Sequence, residues 1–114
     1  LMRKYKLHII TNGFEEVQIQ KLENSNLINY FEQIITSEQV GFKKPSKQIF
    51  KFSMLKACAK PSNSLMIGDD LNADILGAKN FGIDQVFFNP LKYEHSNSEI
   101  TYEINCLSEL EEIL

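Results

Sequence analysis

The sequence contains 114 residues, enough for one folded domain with a hydrophobic core but short for an α/β enzyme. Its formal net charge of −3 offers no electrostatic basis for binding nucleic acid or an anionic membrane. It has no apolar run near the roughly 18–20 residues of a membrane span, no signal-peptide pattern at its start, and no metal or redox spacing between Cys58 and Cys106. We therefore expect a cytoplasmic protein with reduced thiols.

Apolar and β-branched runs alternate with helical patterns along the whole sequence. In the first half, the patterns predict a strand over 5–10, a helix over 15–24, a connecting turn over 27–31, a strand over 33–36, a loop over 41–44 and a helix over 45–59. In the second half, they predict a strand over 65–68, a helix over 72–81, a strand over 85–88, a polar loop over 92–99, a strand over 101–104 and a helix over 107–114. Strands that alternate with helices imply βαβ units, and hence a mostly parallel sheet with helices on both faces.

Three acids follow the predicted strand that ends at Gly68. Asp69 and Asp70 come directly after it, and Asp74 lies near the start of the next helix. Reactive groups collect at the carboxyl ends of strands in open α/β sheets, and carboxylate oxygens are ligands that Mg²⁺ prefers. We expect Gly68 to give the turn its backbone freedom. A purely structural interpretation stays open, in which an acid starts the turn and Asn72 caps the helix.

Two further polar signals lie in the first half of the sequence. Thr11, Asn12 and Gly13 place a hydroxyl and backbone N–H groups just past a strand, where such a cluster can hold a phosphate oxygen. Lys44 precedes Pro45 at the start of the long helix and could place an ammonium group on the same phosphate. Taken singly, the first signal is commonly only a turn and the second only a solvated lysine.

These polar groups are predicted to meet. Thr11, Lys44, Asp69 and Asp74 all lie at the carboxyl ends of strands or in the loops beyond them, so we expect them at one edge of the sheet. Because an ammonium group beside carboxylates is favoured in its charged form, we expect Lys44 to pair with one of the two acids.

In this order and on these elements, the sequence resembles the haloacid dehalogenase-like phosphohydrolases over essentially its full length. The segments that carry the resemblance are those similar to the family's second, third and fourth motifs, namely Ile9–Gly13, Lys44–Pro45 with Ile49–Phe50, and Gly68–Asp69 with Asp74–Ile75. The residues around the second and third motifs are similar to the pyrimidine 5′-nucleotidase branch. Asp70 stands where many members of the family have serine or threonine.

The resemblance implies an α/β fold with a three-layer, Rossmann-like parallel sheet, of which residues 1–114 form the C-terminal part of the hydrolase core domain. The family's first motif is an Asp-x-Asp pair that supplies the nucleophile and the general acid/base, and no such pair precedes Thr11. The cap domain that selects the substrate normally lies between the first and second motifs. We therefore expect the isolated chain to be inactive, and to associate with itself or with the segment that carries the first motif.

For the parent enzyme, the resemblance implies Mg²⁺-dependent hydrolysis of a small phosphorylated metabolite, such as a nucleotide, through an aspartyl-phosphate. Asp69 would bind Mg²⁺, and Asp74 would orient Lys44 or a metal-bound water. The Thr11 hydroxyl, the Asn12 backbone N–H and Lys44 would bind the substrate's phosphate and stabilise charge on the transferring phosphoryl group. Thr11, Lys44 and Asp74 are thus the candidate catalytic residues. Substrate identity stays open, because the cap is missing.

Two other classes of function stay open. A receiver-type signalling domain also gathers acids, a hydroxyl and a lysine at strand ends, but there the threonine follows the acids, whereas Thr11 precedes Asp69. A non-catalytic interaction domain could keep the fold and a phosphate or metal site without the chemistry. An Asp-x-Asp pair after an apolar strand upstream of this sequence would favour the enzyme.

Overall fold

The computed structural model describes residues 5–13, 20, 23–24, 30–95 and 100–114. Most of the predicted helix over 15–24, most of the connecting turn over 27–31 and the end of the polar loop over 92–99 lie outside these residues. The chain divides into two compact units, Leu1–Ala59 and Lys60–Leu114, and each is described by itself. Among the residues described, every helix is too short or too polar to traverse a bilayer.

The first unit contains a parallel pair of strands. Strand β1, His8–Thr11, pairs with β2, Gln33–Thr36, with Thr11 opposite Thr36. β2 has the predicted bounds, whereas β1 lies later than predicted and ends on Thr11. Both strands carry consecutive isoleucines followed by threonine, a β-branched run that suits a strand with little solvent exposure. The pairing brings the two strand-ending threonines to the same edge of the sheet.

A one-turn helix that the sequence analysis did not predict follows β2 directly. This helix, α1, covers Ser37–Val40, and the Thr36 hydroxyl accepts a hydrogen bond from the Gln39 N–H at 3.1 Å. It ends at Gly41, whose φ of 87° is the left-handed conformation that glycine adopts without steric cost. Thr36 therefore both ends a strand and caps a helix. The sequence pattern indicated only the strand, so the helix after it was not predicted.

The long helix of the first unit, α2, covers Lys47–Ala57 and is shorter at both ends than the predicted 45–59. The Ser46 hydroxyl caps its start by accepting the Gln48 N–H at 3.3 Å. Cys58 leaves the helix with a φ of 53°, so it lies beyond the end and not inside the helix. Ile49 and Phe50 are fully buried, so the helix contributes these two residues to the core, whereas Leu55 on the same helix is 71% exposed.

The second unit contains a three-stranded parallel sheet in the order β3-β4-β5. Its strands are β3, Leu65–Gly68, after a 3-10 turn over Pro61–Asn63; β4, Asp84–Phe88; and β5, Tyr102–Ile104. Val86, Ile104 and Leu110 form its buried cluster, against which Leu65, Phe88, Ile113 and Leu114 pack. These parallel sheets with helices confirm the predicted α/β class.

The helix predicted over 72–81 begins in a different form. Leu71–Leu76 is π-helical, with the Ile75 N–H bonded to the Asp70 carbonyl at 3.2 Å, and the α-helix α3 covers only Gly77–Phe81. The predicted cap at Asn72 is wrong. Asp70 caps the segment, because its carboxylate accepts the N–H groups of Asn72 at 3.0 Å and of Ala73 at 2.8 Å.

The terminal segment also differs from the prediction. The helix predicted over 107–114 is a 3-10 turn, Leu107–Glu109, followed by a short α-helix, α4, Leu110–Ile113. By contrast, α3 ends at Phe81, the predicted end, and Gly82 follows it with a φ of 91° in the left-handed conformation. This end was predictable because a glycine after a helical pattern commonly ends the helix.

The loop after β4 is held by the side chain of Asn89. Its Oδ1 accepts the Tyr93 N–H at 3.0 Å, and its Nδ2 donates to the Tyr93 carbonyl at 2.9 Å and to Glu103 Oε2 at 3.1 Å. His95 Nε2 lies 2.6 Å from the other oxygen of Glu103, with its ring edge-on to Phe87. Hydrogen bonds from His95, and then from Asn89, hold the pKa of Glu103 below its ordinary value.

Candidate active site

Thr11 ends β1 with its hydroxyl turned back onto the chain. Thr11 Oγ1 accepts a hydrogen bond from the Gly13 N–H at 3.0 Å, which bends the backbone directly after the strand. Because the oxygen is the acceptor in this bond, the hydroxyl hydrogen can still be donated to a ligand oxygen. The predicted turn thus presents a donor at the carboxyl end of the strand.

Asn12 uses its side chain in a way that the sequence analysis missed. Its Oδ1 accepts the Lys44 N–H at 2.8 Å, and its Nδ2 donates to the Lys44 carbonyl at 3.3 Å. The carbonyl of Asn12 accepts a hydrogen bond from Ser37 Oγ at 3.0 Å. The partners are 32 and 25 positions away, so no local pattern in the sequence could have indicated these contacts.

Lys44 is half-buried, and its ammonium group lies at the end of β1. Its Nζ donates to the Ile10 carbonyl at 3.0 Å, and the peptide bond between Lys44 and Pro45 is cis. The Ile10 carbonyl belongs to the peptide bond that leads into Thr11, so the ammonium group of the predicted lysine lies next to the backbone of Thr11. Within the first unit, Thr11, Asn12 and Lys44 form one cluster that combines a hydroxyl, backbone N–H groups and a cation.

The acids of the second unit lie around the carboxyl end of β3. Asp69 and Asp70 are exposed, and Asp70 is occupied in capping the π-helical segment. Asp74 is only 5% exposed, and its Oδ2 accepts the Asp70 N–H at 3.2 Å. Asp69 is therefore an exposed acid directly after the strand, Asp70 is an exposed cap, and Asp74 is buried.

Gly68 is not needed for backbone freedom in the turn, contrary to the prediction. Its φ lies outside the left-handed region, so the turn does not require glycine for backbone freedom. A Cβ placed there would lie 2.5 Å from both Cβ and Cγ of Asp74, a distance at which no side chain fits. Gly68 thus permits the carboxylate of Asp74 to pack directly onto the end of the strand.

The donor chemistry at this strand end suits Mg²⁺. Across the described residues, no three His, Cys, Asp or Glu side chains group closely enough to enclose a metal ion. Mg²⁺ needs only one or two protein carboxylates, because water and phosphate oxygens complete its shell. The exposed carboxylate of Asp69 fits that requirement. The pairing of Lys44 with Asp69 or Asp74, which belong to the other compact unit, stays a prediction.

Comparisons with known proteins agree on one family. The sequence profile described as haloacid dehalogenase-like hydrolase matches residues 1–88. The chain is similar to the pyrimidine 5′-nucleotidase PynA of Streptococcus pneumoniae, with 38% identity over 95% of this chain and 46% of the relative. It is also similar to the glyceraldehyde 3-phosphate phosphatase of Methanothermobacter thermautotrophicus, with 34% identity over 96% of this chain and 51% of the relative.

A solved structure leads to the same family. The HAD-hydrolase YfnB of Bacillus subtilis, bound to magnesium, matches with a TM-score of 0.83 and 36% identity over 98% of this chain and 49% of that protein. The chain spans about half the length of the curated relatives it matches. Its profile match covers the segments with Thr11, Lys44, Asp69 and Asp74. The chain belongs to the haloacid dehalogenase-like hydrolase family, with similarity to its pyrimidine 5′-nucleotidases.

Proposed function

We propose that the protein to which this chain belongs is a Mg²⁺-dependent phosphatase that hydrolyses small phosphomonoesters through an aspartyl-phosphate. The observation that carries the proposal is the placement of Lys44 Nζ, 3.0 Å from the Ile10 carbonyl and therefore beside Thr11. A half-buried ammonium group next to a hydroxyl donor and a turn of backbone N–H groups is suited to a phosphoryl group. A solvated surface lysine would not need this arrangement.

The cluster in the first unit would act on the oxygens of the transferring phosphoryl group. The Thr11 hydroxyl donates one hydrogen bond, the Asn12 backbone N–H donates another, and Lys44 contributes a full positive charge. These groups stabilise negative charge that spreads over the phosphoryl oxygens in the transition state. Lys44 is fixed before the substrate arrives, so little reorganisation is needed at the moment of reaction.

The acids of the second unit would serve the metal. Asp69 would hold Mg²⁺ with its exposed carboxylate, and the buried Asp74 would orient Lys44 or a metal-bound water. When bound, Mg²⁺ neutralises phosphoryl charge and aligns the reacting oxygens. The nucleophile would come from an Asp-x-Asp pair outside these 114 residues, so the chain alone would be inactive.

For substrate class, we propose a small phosphorylated metabolite in the cytoplasm, with pyrimidine 5′-nucleotides as the first candidates. The support is the similarity to PynA, which is named as a pyrimidine 5′-nucleotidase. The relative from Methanothermobacter is named for a triose phosphate, so sugar phosphates form the competing class. Assays with uridine 5′-monophosphate and glyceraldehyde 3-phosphate side by side would distinguish the two.

The test is hydrolysis of an aryl phosphate by the full-length protein with Mg²⁺ and with a chelator. Lys44→Ala or Asp69→Ala should each lower kcat/KM by about 100-fold or more, as removal of a group that stabilises transition-state charge commonly does. Asp84→Ala, which removes an exposed aspartate at the start of β4, is the matched control and should be neutral. Unchanged activity in both site variants would contradict the proposal.

The isolated chain gives a second test. Residues 1–114 should show no turnover above background, and we propose that they associate with themselves or with the first-motif segment, because exposed strand edges recruit other strands. Light scattering would detect self-association. Robust hydrolysis by the isolated chain that disappears on Asp69→Ala would show that the missing nucleophile is not essential.

A further inference from the structure

We propose that the side chain of Asn12 is a positioning residue that fixes Lys44 for phosphate binding. The inference rests on the proposed function, and it adds a role for an amide that touches no substrate atom. Asn12 holds the backbone of Lys44 through both of that residue's polar groups, the N–H at 2.8 Å and the carbonyl at 3.3 Å.

Holding both backbone groups of one residue determines where its side chain points. The N–H belongs to the peptide plane before the Lys44 Cα, and the carbonyl belongs to the plane after it. An amide that binds both planes restricts the two dihedral angles between them, and so fixes the direction of the Cα–Cβ bond. Gly41–Lys44 form neither helix nor strand, so no regular hydrogen-bond ladder sets that direction. Pro45 narrows the backbone angles of the lysine before it, and the amide of Asn12 binds both of the peptide planes that these angles join.

The ammonium end of Lys44 is held by the same strand. Its Nζ donates to the carbonyl of Ile10 at 3.0 Å, whereas its backbone is bound by Asn12. Ile10 and Asn12 are the two chain neighbours of Thr11. The lysine is therefore tied at both ends to residues that flank the hydroxyl with which it would share a phosphate.

Such double attachment matters because of the length of the lysine side chain. A lysine held only at its ammonium end keeps backbone freedom, and ordering it on a phosphate costs conformational entropy. Asn12 removes that freedom in the unliganded protein. Since small misplacements of a charged group lower rates steeply, loss of the amide should reduce kcat more than it changes KM.

Ser37 supports this interpretation of Asn12. Its hydroxyl donates to the Asn12 carbonyl at 3.0 Å, so the backbone of the asparagine is itself restrained from the first turn of α1. Asn12 is thus held through its carbonyl by Ser37 and through its side chain by the backbone of Lys44. An asparagine that served only its own turn would bond to nearby backbone groups and not to a residue 32 positions away.

The test is a double-mutant cycle in the full-length protein, with kcat/KM for an aryl phosphate and Mg²⁺. We expect Asn12→Ala to lower kcat/KM by about 10- to 100-fold, mostly in kcat, and Lys44→Ala to lower it further. The double variant should match Lys44→Ala alone, because Asn12 acts through the lysine. Reductions that multiply in the double variant would overturn the inference, and so would wild-type activity of Asn12→Ala.

Two further variants separate positioning from folding. Asn12→Ser keeps a short acceptor for the Lys44 N–H and should recover part of the activity lost in Asn12→Ala. Asn63→Ala is the matched control, because Asn63 Oδ1 also accepts a backbone N–H, that of Lys60 at 3.0 Å, in a turn of the second unit. An equal loss in Asn63→Ala and Asn12→Ala would overturn the inference.

The outcomes also distinguish the inference from the proposed function. If Lys44→Ala and Asp69→Ala remove activity while Asn12→Ala keeps it, only the role of Asn12 is wrong. If Lys44→Ala keeps full activity, the proposed function and the role of Asn12 are both wrong.

Discussion

Two asparagines, one in each compact unit, make the same pair of hydrogen bonds in opposite surroundings. Asn12 binds the N–H and the carbonyl of Lys44, and Asn89 binds the N–H and the carbonyl of Tyr93. Asn12 is exposed and reaches across 32 positions, whereas Asn89 is 2% exposed and reaches across four. The same pair of hydrogen bonds thus occurs once at the candidate active site and once in a buried loop.

The difference indicates that burial, and not the pair of bonds itself, decides how much such an amide contributes to the free energy of unfolding. Water can replace the bonds of an exposed side chain, so their net contribution to folding is small. When a buried amide is removed, its hydrogen-bond partners stay buried without a replacement, and the free energy of unfolding falls. Asn89 should therefore matter for the free energy of unfolding, and Asn12 should matter for the rate of reaction.

The largest expected effect is on stability at Asn89. Asn89→Ala removes three side-chain hydrogen bonds, two with Tyr93 and one with Glu103, and should lower the free energy of unfolding by about 2 kcal/mol. Urea unfolding of the full-length protein followed by circular dichroism would measure it. A loss below about 0.5 kcal/mol would contradict the comparison, because the buried asparagine would then contribute no more to the free energy of unfolding than an exposed one.

An intermediate effect is expected from acid. The pKa of Glu103 is depressed by its bonds to His95 and Asn89, so its contribution to stability is present above the ordinary pKa of 4.5 and is lost as the pH falls through the lower value in the folded protein. Glu103→Gln should destabilise the protein at pH 7 by less than about 1 kcal/mol, because the carboxylate is partly exposed.

The difference between wild type and Glu103→Gln should shrink as the pH is lowered from 6 to about 3, the region in which the wild-type carboxylate takes up a proton. Thermal melts at several pH values would follow it. A difference that stays constant over this range would show that the charge of Glu103 does not contribute.

The smallest expected effect is on stability at Asn12. Asn12→Ala should lower the free energy of unfolding by less than about 0.5 kcal/mol, since water can replace both of its bonds to Lys44. The same urea titrations would measure it, with Asn89→Ala as the reference. A loss as large as that of Asn89→Ala would mean that the Lys44 loop is part of the folding core, and the contrast between the two asparagines would disappear.

Local patterns in the sequence predicted the strands and the end of α3 at Phe81, because isoleucine runs and a glycine stop act over a few residues. They did not give the bounds of the other helices. The parallel α/β class followed from the alternation of these elements. The same patterns could not choose between Asp70 and Asn72 as cap, because both side chains cap helices well. They also could not indicate the bond between Asn12 and Lys44, which joins distant parts of the chain.

For the candidate site, the sequence predicted where the residues lie along the chain but not all of their contacts. The positions of Thr11, Lys44 and Asp69 follow from motif spacing, and the structure places each at or beside a strand end. Their chemical roles remain predictions. The reason for Gly68 was missed, because a close approach by a side chain six positions later leaves no mark in the local pattern.

In evolutionary terms, the close contact between Gly68 and Asp74 restricts which residues position 68 can accept. A methyl group at position 68 would occupy the space of the Asp74 carboxylate, so Gly68→Ala is inaccessible while the aspartate stays in place. The same methyl group would also lie 2.5 Å from the Cβ of Asp74, an atom that every residue except glycine carries, so replacing the aspartate alone does not make room for alanine at 68. Position 68 is therefore restricted by the backbone at position 74 as much as by the carboxylate, and related sequences should keep the glycine even where another residue replaces the aspartate.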